Sequence, residues 1–281
     1  MPIEQGATTG KTTTDSAILK QLFFDQSNIL HAMSAVSSND AANCYDAVNH
    51  AAGSFALQAM HVPIQVIKCY LLCIQTMRFF LKTGFGLVET SYGGTRDKPY
   101  MGLTQGSGAS PAAWTAISTL IVSAYKTKGH GACFLSAWSG VILTLAALLY
   151  VDDTDLLHLA HFGQTDEEKF VERVRLATHY WAKLLQATGG NLKPPKCYWY
   201  LLSYRFKKGI ASLKPLQEIE HHSLSIPQPD NKDVKITLRD PYTSSEVLGI
   251  WSCPASIGTK HLEHTCCRKG GNGHSEYLPA A

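Results

Sequence analysis

Residues 141–151 (VILTLAALLYV) form an unbroken apolar run that ends directly on Asp152-Asp153-Thr154-Asp155. A run of this kind fits a strand buried on both faces. Leu156, Leu157 and Leu159 then continue as a returning strand. The chain must therefore build a buried hairpin with two adjacent carboxylates at its tight turn. Like charges a few ångströms apart raise each other's pKa unless a cation neutralises them. A hard divalent ion such as Mg²⁺, which takes oxygen ligands, is the usual neutraliser. A bare pair of aspartates is more often only an exposed acidic turn, so the rest of the chain has to decide.

The stretch from Gly129 to Val151 carries no Asp, Glu, Lys or Arg and is long enough to cross a bilayer. His130, Gly131, Ser136, Ser139 and Gly140 interrupt it, and the acidic turn abuts it. A buried hairpin is the expectation, and no membrane partner.

Hydrophobic residues make up 45% of the 281 residues and charged residues 17%, which excludes a wholly disordered chain. The length suits one large domain or two small ones. The net charge is +3, which permits a nucleic-acid partner without indicating one. The eight cysteines make no CxxC pair and no disulfide framework. With a polar, Thr-rich N-terminus and no signal peptide, this points to an intracellular protein, nuclear or cytoplasmic, and not a secreted one.

Helical spacing predicts a helix over residues 44–60. A second starts at Pro63, with an apolar stripe from Val66 through Leu81 and Gly84 after its end. Residues 83–100 read as loop. A glycine turn spans Gly102 to Gly108, and Ser110 is the expected cap of the next helix with Pro111 at its first position. Thr165 and Glu168 read as a capping box for a helix that Gly189 ends. Cys197–Leu202 and Glu246–Trp251 read as short strands. Helices mixed with hairpins favour an α+β fold.

The acidic turn has company. Upstream lies Asp40-Ala41-Ala42-Asn43-Cys44-Tyr45-Asp46, and between the two lies Gln105-Gly106-Ser107-Gly108-Ala109-Ser110-Pro111. In this order, the three segments resemble motifs A (D-x4-aromatic-D), B (QGxxxSP) and C (YVDD) of the reverse transcriptase palm. Asp46-x-Val48-x-His50 is similar to the FDxIxH continuation of group II intron and non-LTR retrotransposon enzymes. Gly189 to Lys193 with Lys196 resembles motif D, and Val247-Leu248-Gly249-Ile250 resembles motif E. Gln5-Gly6 through Ser16 looks like a worn motif 2. The resemblance covers roughly residues 4–252.

The resemblance implies a right-hand polymerase palm: an antiparallel sheet backed by helices, with partial fingers and a truncated thumb side. Residues 1–39 would be partial fingers and 40–252 the palm, with a fingers-side helical insert at about 61–100. Residues 253–281 would be an irregular tail. The implied activity is RNA-directed DNA polymerisation, the addition of deoxynucleotides to a primer 3′ end. Two metal ions held by carboxylates from separate strands suit that chemistry. Asp40 and Asp152 would hold Mg²⁺, or Mn²⁺ in its place, with Asp153 assisting. Asp46 and Asp155 are weaker ligand candidates. The resemblance assigns Lys196 to the pyrophosphate leaving group. It places Tyr45 over the sugar, where it excludes a 2′-hydroxyl, and Gln105 on the incoming nucleotide, with Gly106 and Gly108 allowing close backbone approach. The bland alternatives are a core aromatic, an ordinary glycine turn and a solvated lysine.

The implied partners are an RNA or DNA template with primer, deoxynucleoside triphosphates, and the rest of a larger retroelement protein. Lys68, Arg78 and Lys82 on the second helix, with Lys193, Lys196, Arg205, Lys207 and Lys208, would contact phosphates. The alternative is a catalytically inactive retroelement remnant that keeps the palm and weak nucleic-acid binding. Gly10-Lys11-Thr12 imitates the end of a phosphate-binding loop, but Gln5 stands where glycine is required. Cys69 and Cys73, four apart on an apolar helix, read as buried thiols, and His221-His222 as loop. His261, His264, Cys266, Cys267 and His274 offer zinc-type donors at a spacing that fits no common site.

Overall fold

The computed structural model describes residues 10–255 apart from 43, 96, 137, 162, 231, 248 and 249. Motif 2 before residue 10, the centre of motif E and the His/Cys-rich tail lie outside the described residues. The chain runs α1 (Thr13–Leu30), β1 (Ser34–Ala42), α2 (His50–Ala59), α3 (Ile64–Thr76), β2 (Arg78–Thr83), β3 (Gly86–Gly93) and α4 (Ser110–Thr127). It continues through β4 (Ala132–Leu135), β5 (Ile142–Leu145), β6 (Ala147–Tyr150), β7 (Asp153–Leu159), α5 (Glu167–Ala187), β8 (Asn191–Leu192) and β9 (Tyr198–Leu202). Then follow β10 (Tyr204–Lys207), β11 (Ile210–Leu213), α6 (Leu216–Ile219), β12 (Leu224–Pro227), β13 (Asp233–Leu238), β14 (Ser245–Val247) and β15 (Ile250–Ser252).

A mixed α/β architecture results, with one central sheet and helices on both faces. The sheet order is β12-β13-β9-β1-β7-β6, with β8 added to the end of β1. Its pairs are antiparallel except β13–β9, which is parallel, so the expected purely antiparallel sheet is corrected to a mixed one. β1 is the central strand, registered against β7 from Ser34↔Leu159 to Asp40↔Asp153. Strand alternation then divides the core. Ala35, Leu156, Trp199 and Leu201 face one side, where α4 and α5 supply Ile117, Tyr125, Phe170 and Trp181. Val36, Leu157, Tyr200 and Leu202 face the other, where α1 supplies Phe23 and Phe24.

Two elements go beyond the expectations, which named no helix before residue 44 and gave the strand carrying Asp40 no bounds. α1 runs 18 residues, started by a capping box in which Thr12 and Asp15 bond each other's backbone N–H. β1 reads SAVSSNDAA, a polar sequence that is nonetheless buried along nearly its whole length.

Several boundaries move. The first predicted helix begins at His50, not at 44, because Asn49 caps it through the Ala52 N–H. The second stops at Thr76. Residues 78–93 then pair as the β2–β3 hairpin, so Arg78 and Lys82 sit on a strand and the expected loop is half sheet. Cys69 and Cys73 are exposed on α3, contrary to expectation. Ser110 is the first residue of α4 and Ala109 its cap, which puts Pro111 second. Asp166 caps α5 in place of Thr165, accepting from Lys169 N–H.

The apolar run splits at Ala146. Its first half is β5, paired with β4 in a hairpin where Val141, Ile142 and Leu143 are exposed; only β6 enters the central sheet. Cys197–Leu202 is a strand as expected, whereas the 246–251 segment is a two-stranded hairpin. Among the described residues no helix is long and apolar enough to cross a membrane.

Candidate active site

Asp40 sits near the end of β1, directly opposite Asp153 at the start of β7. Partners in an antiparallel ladder point to the same face, so the two carboxylates share the α1 side of the sheet. Asp152 lies in the turn before β7, and its carbonyl accepts the Ala41 N–H at 3.3 Å. That turn contains Val151 at φ 59°, a left-handed conformation that a β-branched residue rarely adopts. The Trp114 indole on α4 donates to the Val151 carbonyl at 2.6 Å and holds the turn in place. The strained residue thus sits between the hairpin strands and immediately before the acidic pair.

The segment after β1 turns without forming a helix. Tyr45 presents its carbonyl to the Leu103 N–H at 2.8 Å, and Asp46 accepts the Gln105 N–H at 3.4 Å. Gly102 makes this docking possible. A Cβ there would lie 2.5 Å from the Asp46 carbonyl oxygen, and its φ is +87°. His50 donates from Nε2 to the Gly102 carbonyl at 2.8 Å while Gln75 donates to its Nδ1 at 2.9 Å. Ser110 Oγ bonds the carbonyls of Leu103 and Thr104, the latter at 2.8 Å.

These turns enclose a cleft of about 540 Å³ lined by Asp40, Tyr45, Asp46, Gln105, Asp152, Lys193 and Lys196, among others. Six of the predicted site residues therefore meet or flank one another: Asp40, Tyr45, Gln105, Asp152, Lys196 and, on the adjoining side, Asp153. The glycines are different. Gly106 and Gly108 are not among the residues lining the cleft, and a Cβ at either would meet nothing within 4 Å. Gly106 needs glycine for its φ of +91° alone. Asp46, set aside in the sequence, lines the cleft. Asp155 is not among the residues lining it; it lies on the same α1 face as Asp153, with Lys20 2.9 Å away.

The electrostatics follow from this crowding. Burial and the neighbouring Asp152, Asp155 and Asp40 push the Asp153 carboxyl up to about 6. The Lys196 ammonium donates to Asp40 Oδ2 at 3.1 Å, and this contact raises its pKa. Lys193 N–H donates to the Asp40 carbonyl at 2.9 Å, fixing the basic loop against the end of β1. Burial pushes the Cys197 thiol up to about 11, and Cys44 is likewise raised by burial and the aspartates, so neither is a thiolate at neutral pH.

A second polar cluster lies at the start of α5. Glu167, His221 and His222 bring possible ligand atoms within 4.8 Å of one another. The Glu167 carboxylate already accepts from Lys214 at 2.7 Å, from His222 at 2.6 Å and from Ser203. With three donors on the carboxylate, the group reads as a partly buried structural network tying α5 to the loop before β12.

No protein-family model matches the chain, and no curated protein matches it in sequence. Among solved structures it is similar to the apo telomerase of Candida tropicalis truncated from its C-terminal domain. The two are 15% identical, with a TM-score of 0.46, over 75% of this chain and 40% of that one. It is also similar to C. tropicalis telomerase in complex with a fragment of telomeric RNA (15% identity, TM-score 0.44, 70% of this chain and 30% of that one). The corresponding Candida albicans complex gives 12% identity and a TM-score of 0.42, over 70% of this chain and 31% of that one. The chain thus spans less than half the length of each of these telomerase chains.

Proposed function

We propose that the chain is a nucleotidyltransferase of reverse-transcriptase type, an RNA-directed DNA polymerase of a retroelement, acting through the Asp40/Asp152/Asp153 cleft. The observation that carries this reading is convergence. Carboxylates from β1 and from the β6–β7 turn, the aromatic Tyr45 and the amide-bearing Gln105 come from three distant segments and line or adjoin one cleft. The donor set fits Mg²⁺. It offers hard oxygen ligands from separate strands, and a divalent cation relieves the burial and the mutual repulsion that together raise the Asp153 carboxyl. Bound there, Mg²⁺ or Mn²⁺ would activate the primer 3′-oxygen and hold the triphosphate.

The chain's own residues take the remaining tasks. Tyr45, half-buried with its ring 6.5 Å from Trp114, forms a wall against the sugar and excludes a 2′-hydroxyl. Gln105 contacts the incoming nucleotide. Lys196 Nζ, kept protonated beside Asp40, supplies charge and a proton to the departing pyrophosphate. Lys193, Lys68, Arg78 and Lys82 are exposed and available to template phosphates.

A second reading is a non-catalytic remnant that binds nucleic acid weakly. The Lys196–Asp40 ion pair favours it, because the ammonium already occupies one carboxylate. Primer extension on an RNA template with Mg²⁺ and deoxynucleotides separates the two. The polymerase reading expects extension by wild type and none by Asp152→Asn; a folded wild type that never extends supports the remnant.

A further inference from the structure

Lys20 projects from α1 into the sheet and is 2% exposed. Its ammonium lies 2.9 Å from Asp155 Oδ2 and 3.3 Å from Ser38 Oγ, and Ser38 itself donates to Asp155. Ser38 and Asp155 are ladder partners, two residues along from the partners Asp40 and Asp153. In a strand, positions two apart share a face. The two rungs therefore lie side by side under α1, and a cavity of about 80 Å³ is lined by Lys20, Ser38, Asp40, Asp153, Asp155 and Lys196 together. Asp155 is thus a further carboxylate beside the cation-binding candidates, lining the same cavity as Asp40 and Asp153.

A buried ammonium is expensive to hold without a partner. Burial works against the charge on Lys20, and Asp155 together with the Tyr198 and Tyr200 hydroxyls offsets it, so the ammonium is kept charged. The two contacts engage both Asp155 carboxylate oxygens, Oδ2 with Lys20 and Oδ1 with Ser38.

We propose that Lys20 is a positioning residue: by pairing with Asp155 against Ser38, it withholds a fourth carboxylate from the cluster and leaves Asp40, Asp152 and Asp153 to set the cation site. The proposal rests on the nucleotidyltransferase reading of that site. It assigns a task to α1, an element that contributes no residue to the cleft itself. In Lys20→Met, Asp155 loses its partner and the adjoining cavity gives it room to turn toward Asp153. Cation affinity then rises, since ligand charge count tunes it, while the geometry for nucleotide addition is lost.

The test is Mn²⁺ binding by the full-length chain, measured by calorimetry alongside thermal unfolding and primer extension. Lys20→Met is expected to bind Mn²⁺ roughly tenfold tighter and to extend primers at least roughly tenfold more slowly. Ser38→Ala, which loosens Asp155 without removing a charge, moves both in the same direction by less and keeps the proposal testable if Lys20→Met fails to fold. Replacing both members of a buried pair by apolar residues is often neutral to stability. Lys20→Met/Asp155→Leu therefore folds and returns Mn²⁺ affinity to within about twofold of wild type. A purely structural Lys20 would lower the melting temperature and leave Mn²⁺ affinity unchanged in the folded variants, which overturns the proposal. A wild type that extends primers beside a Lys20→Met and a Ser38→Ala of wild-type affinity sinks this inference alone. A folded wild type with no Mn²⁺ binding sinks it together with the proposed function.

Discussion

The indole N–H of Trp114 donates to the carbonyl oxygen of Val151 at 2.6 Å, so a helix residue holds the strained turn that presents Asp152. Trp114 is almost fully buried against the same core as Tyr45. Trp114→Phe removes the donor and leaves a gap. It is expected to cost about 1–3 kcal/mol of stability and to reduce nucleotide addition more than the stability loss explains. Chemical denaturation paired with single-nucleotide incorporation checks both.

Asp153 gives a pH dependence of uncommon sign. Its carboxyl is held at about 6 in the fold, against 3.8 for an ordinary aspartate. The native state therefore binds more protons than the unfolded chain between those values, and stability falls as pH rises from about 4 to 6. Without divalent cation, Asp153→Asn should be more stable than wild type at pH 7 by about 1–3 kcal/mol. The advantage shrinks below pH 4. Urea midpoints at the two pH values read this directly, and Mn²⁺ should stabilise wild type more than the variant.

Glu167 behaves oppositely. Burial opposes its charge, but hydrogen bonds from Lys214, Ser203 and His222 outweigh burial and hold it at about 2, below the ordinary 4.5. Its stabilisation is present above pH 4.5 and lost as pH falls toward 2. Glu167→Gln should cost about 1–3 kcal/mol at pH 7 and nearly nothing at pH 2. Equal differences at both pH values would mean the network contributes no charge-dependent stability.

Two glycines flanking Gln105 in sequence should separate cleanly. Gly102→Ala meets backbone at Asp46 as well as an unfavourable φ. It should cost about 3 kcal/mol or more and displace the Gln105 turn. Gly106→Ala meets only the φ of +91° and should cost about 1–2 kcal/mol. Thermal unfolding of the two variants ranks them.

The grouping of the candidate residues was legible because they lie in short, ordered segments. Asp40, Tyr45, Gln105 and Asp152 share a cleft as their motif order implied. The fold around them was less legible for identifiable reasons. β1 is buried at its centre yet built from Ser, Ala and Asn, so hydropathy gave no strand signal. Arg78 to Lys82 extends the apolar spacing of α3, but Met77 is extended and the chain pairs with residues 86–93 instead. The unbroken run at 141–150 conceals a change of sheet at Ala146, where one half serves an exposed hairpin and the other the core. Lys20 was invisible because a lone lysine on an apolar helix gives no sign of the partly buried aspartate that it meets.

Incorporation of one labelled deoxynucleotide opposite a defined base of a primed RNA template tests whether Asp40 and Asp152 carry nucleotide addition. Wild type, Asp40→Asn and Asp152→Asn are compared, with folding of each verified by circular dichroism. Template-dependent incorporation by wild type, reduced at least roughly a thousandfold in both folded variants, is the expected result. Incorporation that survives in either variant, or its absence from a folded wild type supplied with Mg²⁺ and Mn²⁺, would rule out a polymerase site built on these aspartates.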